Sequence, residues 1–206
     1  MKEAPSPRAF FTELLPAQFE AALGEQEQVA LAATRLLDGM RAVNATIRVD
    51  VHGPGGGTFF LNVSAGRMTP GESALHAPFL TLVQERASFD RFVAEVGGSA
   101  LGFLGALSGL AQELRLTQAR IELLAGIAGT LQFEVRGEDG FALLTHFGPG
   151  EPTTPATTSI RVERDAYADL RAGRLNPQDA FLSGRIQLEG DLQLAMQLAL
   201  AAVAPD

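Results

Sequence analysis

Few residues of this chain have the type and spacing to do covalent chemistry. There are three histidines. His52 ends a strand pattern after Asp50, His76 falls in a loop, and His146 falls in a later strand pattern. No two of them have metal-ligand spacing, so each reads as a solvent-facing or edge side chain. Ser183–Gly184 follows a helix pattern and lacks the strand that leads into a nucleophile elbow. Gly53–Pro54–Gly55–Gly56–Gly57–Thr58 has the glycine density of a phosphate loop. It lacks the Gly-Lys-Ser/Thr signature and opens into a strand, so it reads as a hairpin turn. The carboxylate pairs Asp90 with Glu95 and Asp165 with Asp169 have the spacing of helix caps or solvated faces, and no acid–base role is assigned to them. The absence of cysteine removes disulfides, thiolate nucleophiles and Cys-based metal centres. The expectation is a non-enzymatic protein with no cofactor and no metal.

The charge balance narrows the partners. The 206 residues carry 24 acidic and 16 basic side chains, a net charge of −8. Neither nucleic-acid phosphates nor anionic headgroups attract a net anion, so no nucleic acid and at most a transient membrane contact is expected. With 46% apolar and 19% charged residues the chain is not disordered. Its length allows roughly 70% of the unfolded surface to be buried, enough for an unstapled core. The apolar stretch Ala9–Phe10–Phe11 is too short for a signal-peptide core. The uncharged run Val96–Gln112 contains five glycines and falls short of the ~20 residues of a membrane span. A cytoplasmic location is the expectation.

The chain says one thing twice. Thr46–Gly53 reads T-I-R-V-D-V-H-G and Thr130–Gly137 reads T-L-Q-F-E-V-R-G, an offset of 84. Ile47, Val49 and Val51 alternate with polar residues, as do Leu131, Phe133 and Val135, which is the period of a strand with one buried face. A glycine turn and a second strand follow in each case, Thr58–Ser64 and Phe141–Phe147. After a Gly/Pro-rich stretch comes a third strand, Leu80–Glu85 or Thr158–Glu163, now at an offset of 78. Both third strands end in Glu-Arg and lead into a helix carrying an aromatic at the same place, Phe89 or Tyr167. The change of offset falls in loops, where length costs little. A duplication explains this pattern; independent strand patterning is the alternative.

Helical segments precede each copy. Val29, Ala32, Ala33, Leu36, Leu37 and Met40 form an apolar stripe at helical spacing. Pro16 suits the first turn of an earlier helical piece carrying Phe19 and Leu23, with Gly24 expected to kink or separate the two. Ala100–Leu124 is helix-compatible. Helices segregated from strands predict an α+β fold with helices over one sheet face.

The last quarter, Asp165 to Leu200, carries the strongest punctuation. Asp165 suits a helix N-cap and Gly173 a helix stop. Asn176–Pro177 restarts a short helix that Gly184 ends. Ile186 and Leu188 mark a last strand, Gly190–Asp191 turns the chain, and Asp191 caps a final helix. That helix is apolar almost all round, from Leu192 to Leu200, and must be buried or face something greasy.

This stretch resembles the sterol carrier protein 2 lipid-binding family. The resemblance rests on Leu170-x-x-Gly173, on Leu175–Asn176–Pro177-x-x-Ala180–Phe181, on Gly184-(x)5-Gly190–Asp191 and on the apolar tail, with the strand pair Thr130–Arg136 and Phe141–Phe147 upstream. It covers residues 129–203 firmly and residues 12–95 weakly. It implies a mainly antiparallel five-stranded sheet covered on one face by helices. It also implies an apolar tunnel that takes fatty acids, fatty acyl-CoA, sterols or other lipids. The first copy departs from the pattern, lacking the Gly-(x)5-Gly-Asp ending. Residues 1–98 are accordingly read as an N-terminal helix plus degenerate copy, and residues 99–206 as the lipid-binding domain.

Each methylene moved out of water contributes about 0.8 kcal/mol, roughly 10 kcal/mol gross for a long acyl chain, less association and ordering costs. The side chains placed at such a site are Phe133, Ile160, Phe181, Leu182, Leu188, Met196, Leu198 and Leu200. Met196 suits irregular ligands. The expected partner is a hydrophobic small molecule. The rival reading is an accessory module with a filled core that serves a protein partner, a lipid- or quinone-modifying enzyme. The oligomeric state stays open.

Overall fold

The computed structural model describes residue 8 and residues 10–96 and 116–203. The boundary expected at 98/99 and most of the helix expected over 100–124 lie outside the described residues. Two compact units are present, Met1–Gly39 and Met40–Asp206.

The first unit holds a π-helical turn, Phe10–Leu14, and all but the last two residues of one helix, α1, Leu15–Arg41. Pro16 sits in its first turn, as expected. Gly24 does not divide it: the helix is continuous, because one glycine costs only about 1 kcal/mol against 27 residues of hydrogen-bonded ladder.

The second unit carries eight strands and five described helices: β1 Ala45–His52, β2 Gly57–Ser64, β3 Arg67–Gly71, β4 Pro78–Glu85, α2 Arg86–Val96, α3 Gln118–Ala125, β5 Gly129–Arg136, β6 Phe141–Phe147, β7 Thr158–Glu163, α4 Arg164–Arg171, α5 Pro177–Leu182, β8 Ile186–Gly190 and α6 Leu192–Val203. The strands form one sheet in the order β3-β2-β1-β4-β6-β5-β7-β8. Only β1·β4 and β5·β7 are parallel; the other five pairings are antiparallel.

The order explains why the sheet has eight strands rather than five. Each copy contributes the same three-strand unit, β2-β1-β4 and β6-β5-β7. In the second copy β8 pairs antiparallel with the third strand, β7. In the first copy that place beside β4 is taken by β6. The Gly-(x)5-Gly-Asp ending that the first copy lacks is thus replaced by the second copy's own strand, and the two halves fuse. β3, which falls in the Gly/Pro-rich stretch after β2, has no counterpart in the second copy.

The duplication reaches the turns and the buried polar groups. Gly56 N–H donates to Gly53 O and Gly140 N–H to Gly137 O, both at 3.0 Å. Thr46 Oγ1 donates to Asn62 Oδ1 at 2.7 Å, and Thr130 Oγ1 lies 3.0 Å from His146 Nδ1; both pairs are 84 residues apart. In each copy a backbone N–H from the loop after the hairpin closes the threonine's remaining valence, His76 N–H onto Thr46 and Thr153 N–H onto Thr130. A buried hydroxyl left unpaired would cost about 1–3 kcal/mol, so each loop is held over the sheet face opposite to the apolar one.

His146 departs from expectation. It is buried, because β6 is an interior strand between β4 and β5. His52 and His76 are exposed, and His52 Nδ1 lies 3.5 Å from Glu85 Oε1.

Candidate apolar-ligand site at the C-terminal helix

Alternation along the strands puts Ile47, Val49, Leu80, Leu82, Leu131 and Leu143 on one face, and all are buried in a single cluster with Ile121 of α3 and Leu194 and Ala201 of α6. A second cluster sits toward the β5–β7 end, where Phe92, Val135, Phe141, Val162 and Tyr167 are buried. Its rings pack edge to face or tilted, with Phe92–Phe141 at 5.2 Å and Phe141–Tyr167 at 5.7 Å, the geometry that aromatic quadrupoles favour. Glu95 at the end of α2 pairs with Arg164 and Arg171 of α4, and both guanidiniums stand 5.9 Å from the Tyr167 ring centre. Burial pushes the Tyr167 phenol above its ordinary pKa, against the field of Arg171.

The elements that carry the C-terminal wall start and stop as their residues dictate. α4 ends at Arg171, and Gly173 takes a φ of +67° with its N–H on Leu170 O. Asp165 does not cap α4; that position belongs to Glu163, whose side chain makes no cap bond. Asp165 instead pairs with Arg185, which also reaches Asp169, itself bound to Arg174. These bonds from Arg174 and Arg185 hold the Asp169 carboxyl below the usual aspartate range and tie α4 to the start of β8. Asn176 Oδ1 accepts from Gln178 N–H, Pro177 opens α5, and Asp191 Oδ1 accepts from Gln193 and Leu194 N–H at the start of α6.

α6 carries no charge over its 12 residues and is apolar on two faces. Leu194 and Ala201 are buried and Leu198 packs half-buried on the same core. Leu192, Met196 and Leu200, one turn apart on the other side, stay exposed, Met196 at 65% and Leu200 at 66%.

The eight side chains placed at the site therefore separate into two groups. Phe133, Ile160 and Leu198 pack against the core clusters, and Leu188 lies half-buried on β8 beside Ile160. Met196, Leu200, Phe181 and Leu182 face outward, Leu182 at 74%. On α5 it is Ala180, fully buried, that packs inward in place of Phe181 and Leu182.

On the core side of α6, Leu194 lies over Gly129, so that a Cβ on Gly129 would stand 2.7 Å from Leu194 Cδ2. Open cavities among the described residues include one of about 280 Å³ beside Ser88, Glu134 and Phe141 and one of about 210 Å³ beside Val83, Gln84, Gln132 and Leu144. The first lies at the β5–β6 turn beside Ser88 of α2 and the second in the seam where β4 and β6 part past Val83 and Leu144; α6 lines neither. Sequence reasoning did not anticipate this seam, which exists only because the two copies join there.

Residues 110–202 match the model of the SCP-2 sterol transfer family. Curated relatives include hydroxysteroid dehydrogenase-like protein 2 of Bos taurus, 29% identical over 84 residues, 37% of this chain and 20% of that protein. The Xenopus laevis protein of the same name is 31% identical over 84 residues with the same shares. This chain thus spans about a fifth of the length of those relatives. Solved structures that align include sterol carrier protein 2 like 2 from Aedes aegypti, at 18% identity and a TM-score of 0.30, covering 57% of this chain and 93% of that one. Sterol carrier protein 2 from Yarrowia lipolytica, in its apo form, aligns at 16% identity and a TM-score of 0.32 over 53% and 92%.

Proposed function

We propose, from the premise that residues 110–202 carry an SCP-2 sterol transfer domain, that this protein binds and transfers an apolar lipid without changing it covalently. The ligand classes are a fatty acid, a fatty acyl-CoA, a sterol-like molecule or an isoprenoid. The carrying observation beside the family match is α6, an uncharged helix with apolar side chains on both its core and outer faces. A helix of that composition is stable in water only while one face is covered. A lipid chain inserted between α6 and β5–β7 would displace Leu194 and Leu198 and gain about 0.8 kcal/mol per methylene. Among the described residues no helix is long and apolar enough to cross a membrane. The reading includes a cytoplasmic site of action and a membrane contact no longer than ligand exchange requires.

The test is native mass spectrometry of gently purified protein, with lipid extraction, alongside titration with a fluorescent fatty acid. Co-purifying lipid and saturable fluorescence, reduced at least tenfold in affinity by Leu194→Asp or Leu198→Asp in a protein that remains folded, are the expected results. No lipid and no fluorescence change would reject the reading.

A second reading is favoured by one observation. Leu194 already fills the space over Gly129, which suits an accessory module with a filled core that supports a lipid- or quinone-modifying enzyme. A stable complex with such an enzyme, with no lipid uptake, would select it.

A further inference from the structure

The helix α1 presents a row that the lipid site does not use. From Leu15 to Met40 the row advances in alternating steps of four and three residues, through Phe19, Gln26, Val29 and Leu36. Four-and-three spacing is a 3.5-residue period, the period with which two long helices wind around each other. None of the residues of α1 is buried; Phe19 is 71% exposed and Val29 63%. We infer that this row is the seam of a parallel, in-register coiled coil with α1 of a second copy of this chain.

Three observations select that occupant. The first is length. Twenty-seven residues make a rod of about 40 Å, and its seam is about 10 Å wide. Interlocking side chains on two such strips bring the buried area to the roughly 1,000 Å² that a specific interface needs.

The second is Gln26, the polar residue of the row. A parallel, in-register pair sets the Gln26 amide against its own copy, where the two amides can bond to each other. An antiparallel pair sets it against Val29 and leaves it unsatisfied, at about 1–3 kcal/mol per amide. A single polar group at such a position sets register and orientation.

The third is charge. The positions that flank the row toward a parallel partner hold Leu23, Ala30 and Leu37 on one side and Gln18, Glu25 and Ala32 on the other. In a parallel pair Glu25 meets Ala30 of the other helix rather than a second carboxylate. The acidic residues Glu20, Glu27 and Asp38 fall on the outer positions, so a chain of net charge −8 can pair with itself along this line without like-charge contact.

The chain has no cysteine, so single cysteines report geometry cleanly. The experiment uses the full-length protein. Sedimentation equilibrium is expected to give a dimer at tens of micromolar. Val29→Cys should crosslink quantitatively under mild oxidant, and Leu31→Cys, on the outer face, at least tenfold more slowly. Val29→Asp with Leu36→Asp should raise the dimer dissociation constant at least 100-fold, with the strand signal in circular dichroism unchanged. A monomer at 100 micromolar overturns the proposal, as does equal crosslinking at 29 and 31, or a dimer that survives the double aspartate variant. A monomer in which Val29→Cys resists alkylation also overturns it, since another part of the chain, such as the apolar run 96–112, would then be the occupant.

Discussion

Leu194 of α6 stands over Gly129 of β5, with its two methyl carbons 2.7 and 3.1 Å from where a Cβ on Gly129 would be. The absence of a side chain at Gly129 is what lets the C-terminal helix close on the sheet. Gly129→Ala is expected to push Leu194 outward and cost about 1–3 kcal/mol, the usual range for overpacking a core. A shift in the urea midpoint without a change in slope measures it. Gly129→Ala combined with Leu194→Ala should recover part of the loss, because the clash is with the leucine's tip alone.

The two hairpin turns are expected to fail together. A Cβ on Gly56 would stand 2.0 Å from Val51 O, and one on Gly140 2.2 Å from Val135 O. Backbone carbonyls in a ladder cannot yield as a leucine tip can. Either alanine substitution should therefore destabilise by more than Gly129→Ala, on the order of 3 kcal/mol. Thermal unfolding of the three variants side by side checks the order.

Thr130→Val keeps shape and removes the hydroxyl that meets His146 Nδ1 and accepts from Thr153 N–H. Those groups are then left unpaired, at about 1–3 kcal/mol. The equivalent Thr46→Val leaves His76 N–H unpaired and removes one of the two bonds on Asn62 Oδ1, which keeps Leu75 N–H, and should cost about 1–3 kcal/mol. Hydrogen exchange at the Thr153 and His76 amides should rise in the respective variant and not in the other.

Asp169 makes stability fall in acid. Arg174 and Arg185 hold its pKa below the ordinary 3.8. A carboxyl depressed in the folded state contributes stability above its unfolded pKa and loses it as pH falls through the folded one. The difference in denaturant midpoint between wild type and Asp169→Asn is expected to be constant near neutrality and to shrink below about pH 4. Tyr167 acts at the other end. Its pKa is raised by burial, so its contribution is present below the unfolded value and is lost as pH climbs past about 10.

Gly24 has no atom within 4 Å of an added Cβ. Gly24→Ala should strengthen α1 by about 1 kcal/mol, read as slower amide exchange in residues 20–30.

Much of this architecture was legible in residue order because it is governed by local physics. The alternation of Ile47, Val49 and Val51 and of Leu131, Phe133 and Val135 specified strands and their inward faces. Asn176–Pro177, Gly173, Gly184 and Asp191 set helix starts and stops, since caps and positive φ are satisfied within a few residues. The 84-residue offset announced two copies. The family resemblance rested on the same punctuation.

What residue order left open is what depends on partners distant in the chain. Nothing local to Thr81 or His146 says that β4 and β6 will lie side by side, so the fused sheet, the buried His146 and the seam cavity emerge only on assembly. Nothing in Phe181, Leu182, Met196 or Leu200 distinguishes an inward apolar side chain from an outward one, because hydrophobicity is a property of the residue and burial a property of its neighbours. Leu194 took an inward place because Gly129, with no side chain, leaves room for it, and on α5 Ala180 packs inward while Phe181 and Leu182 stay exposed.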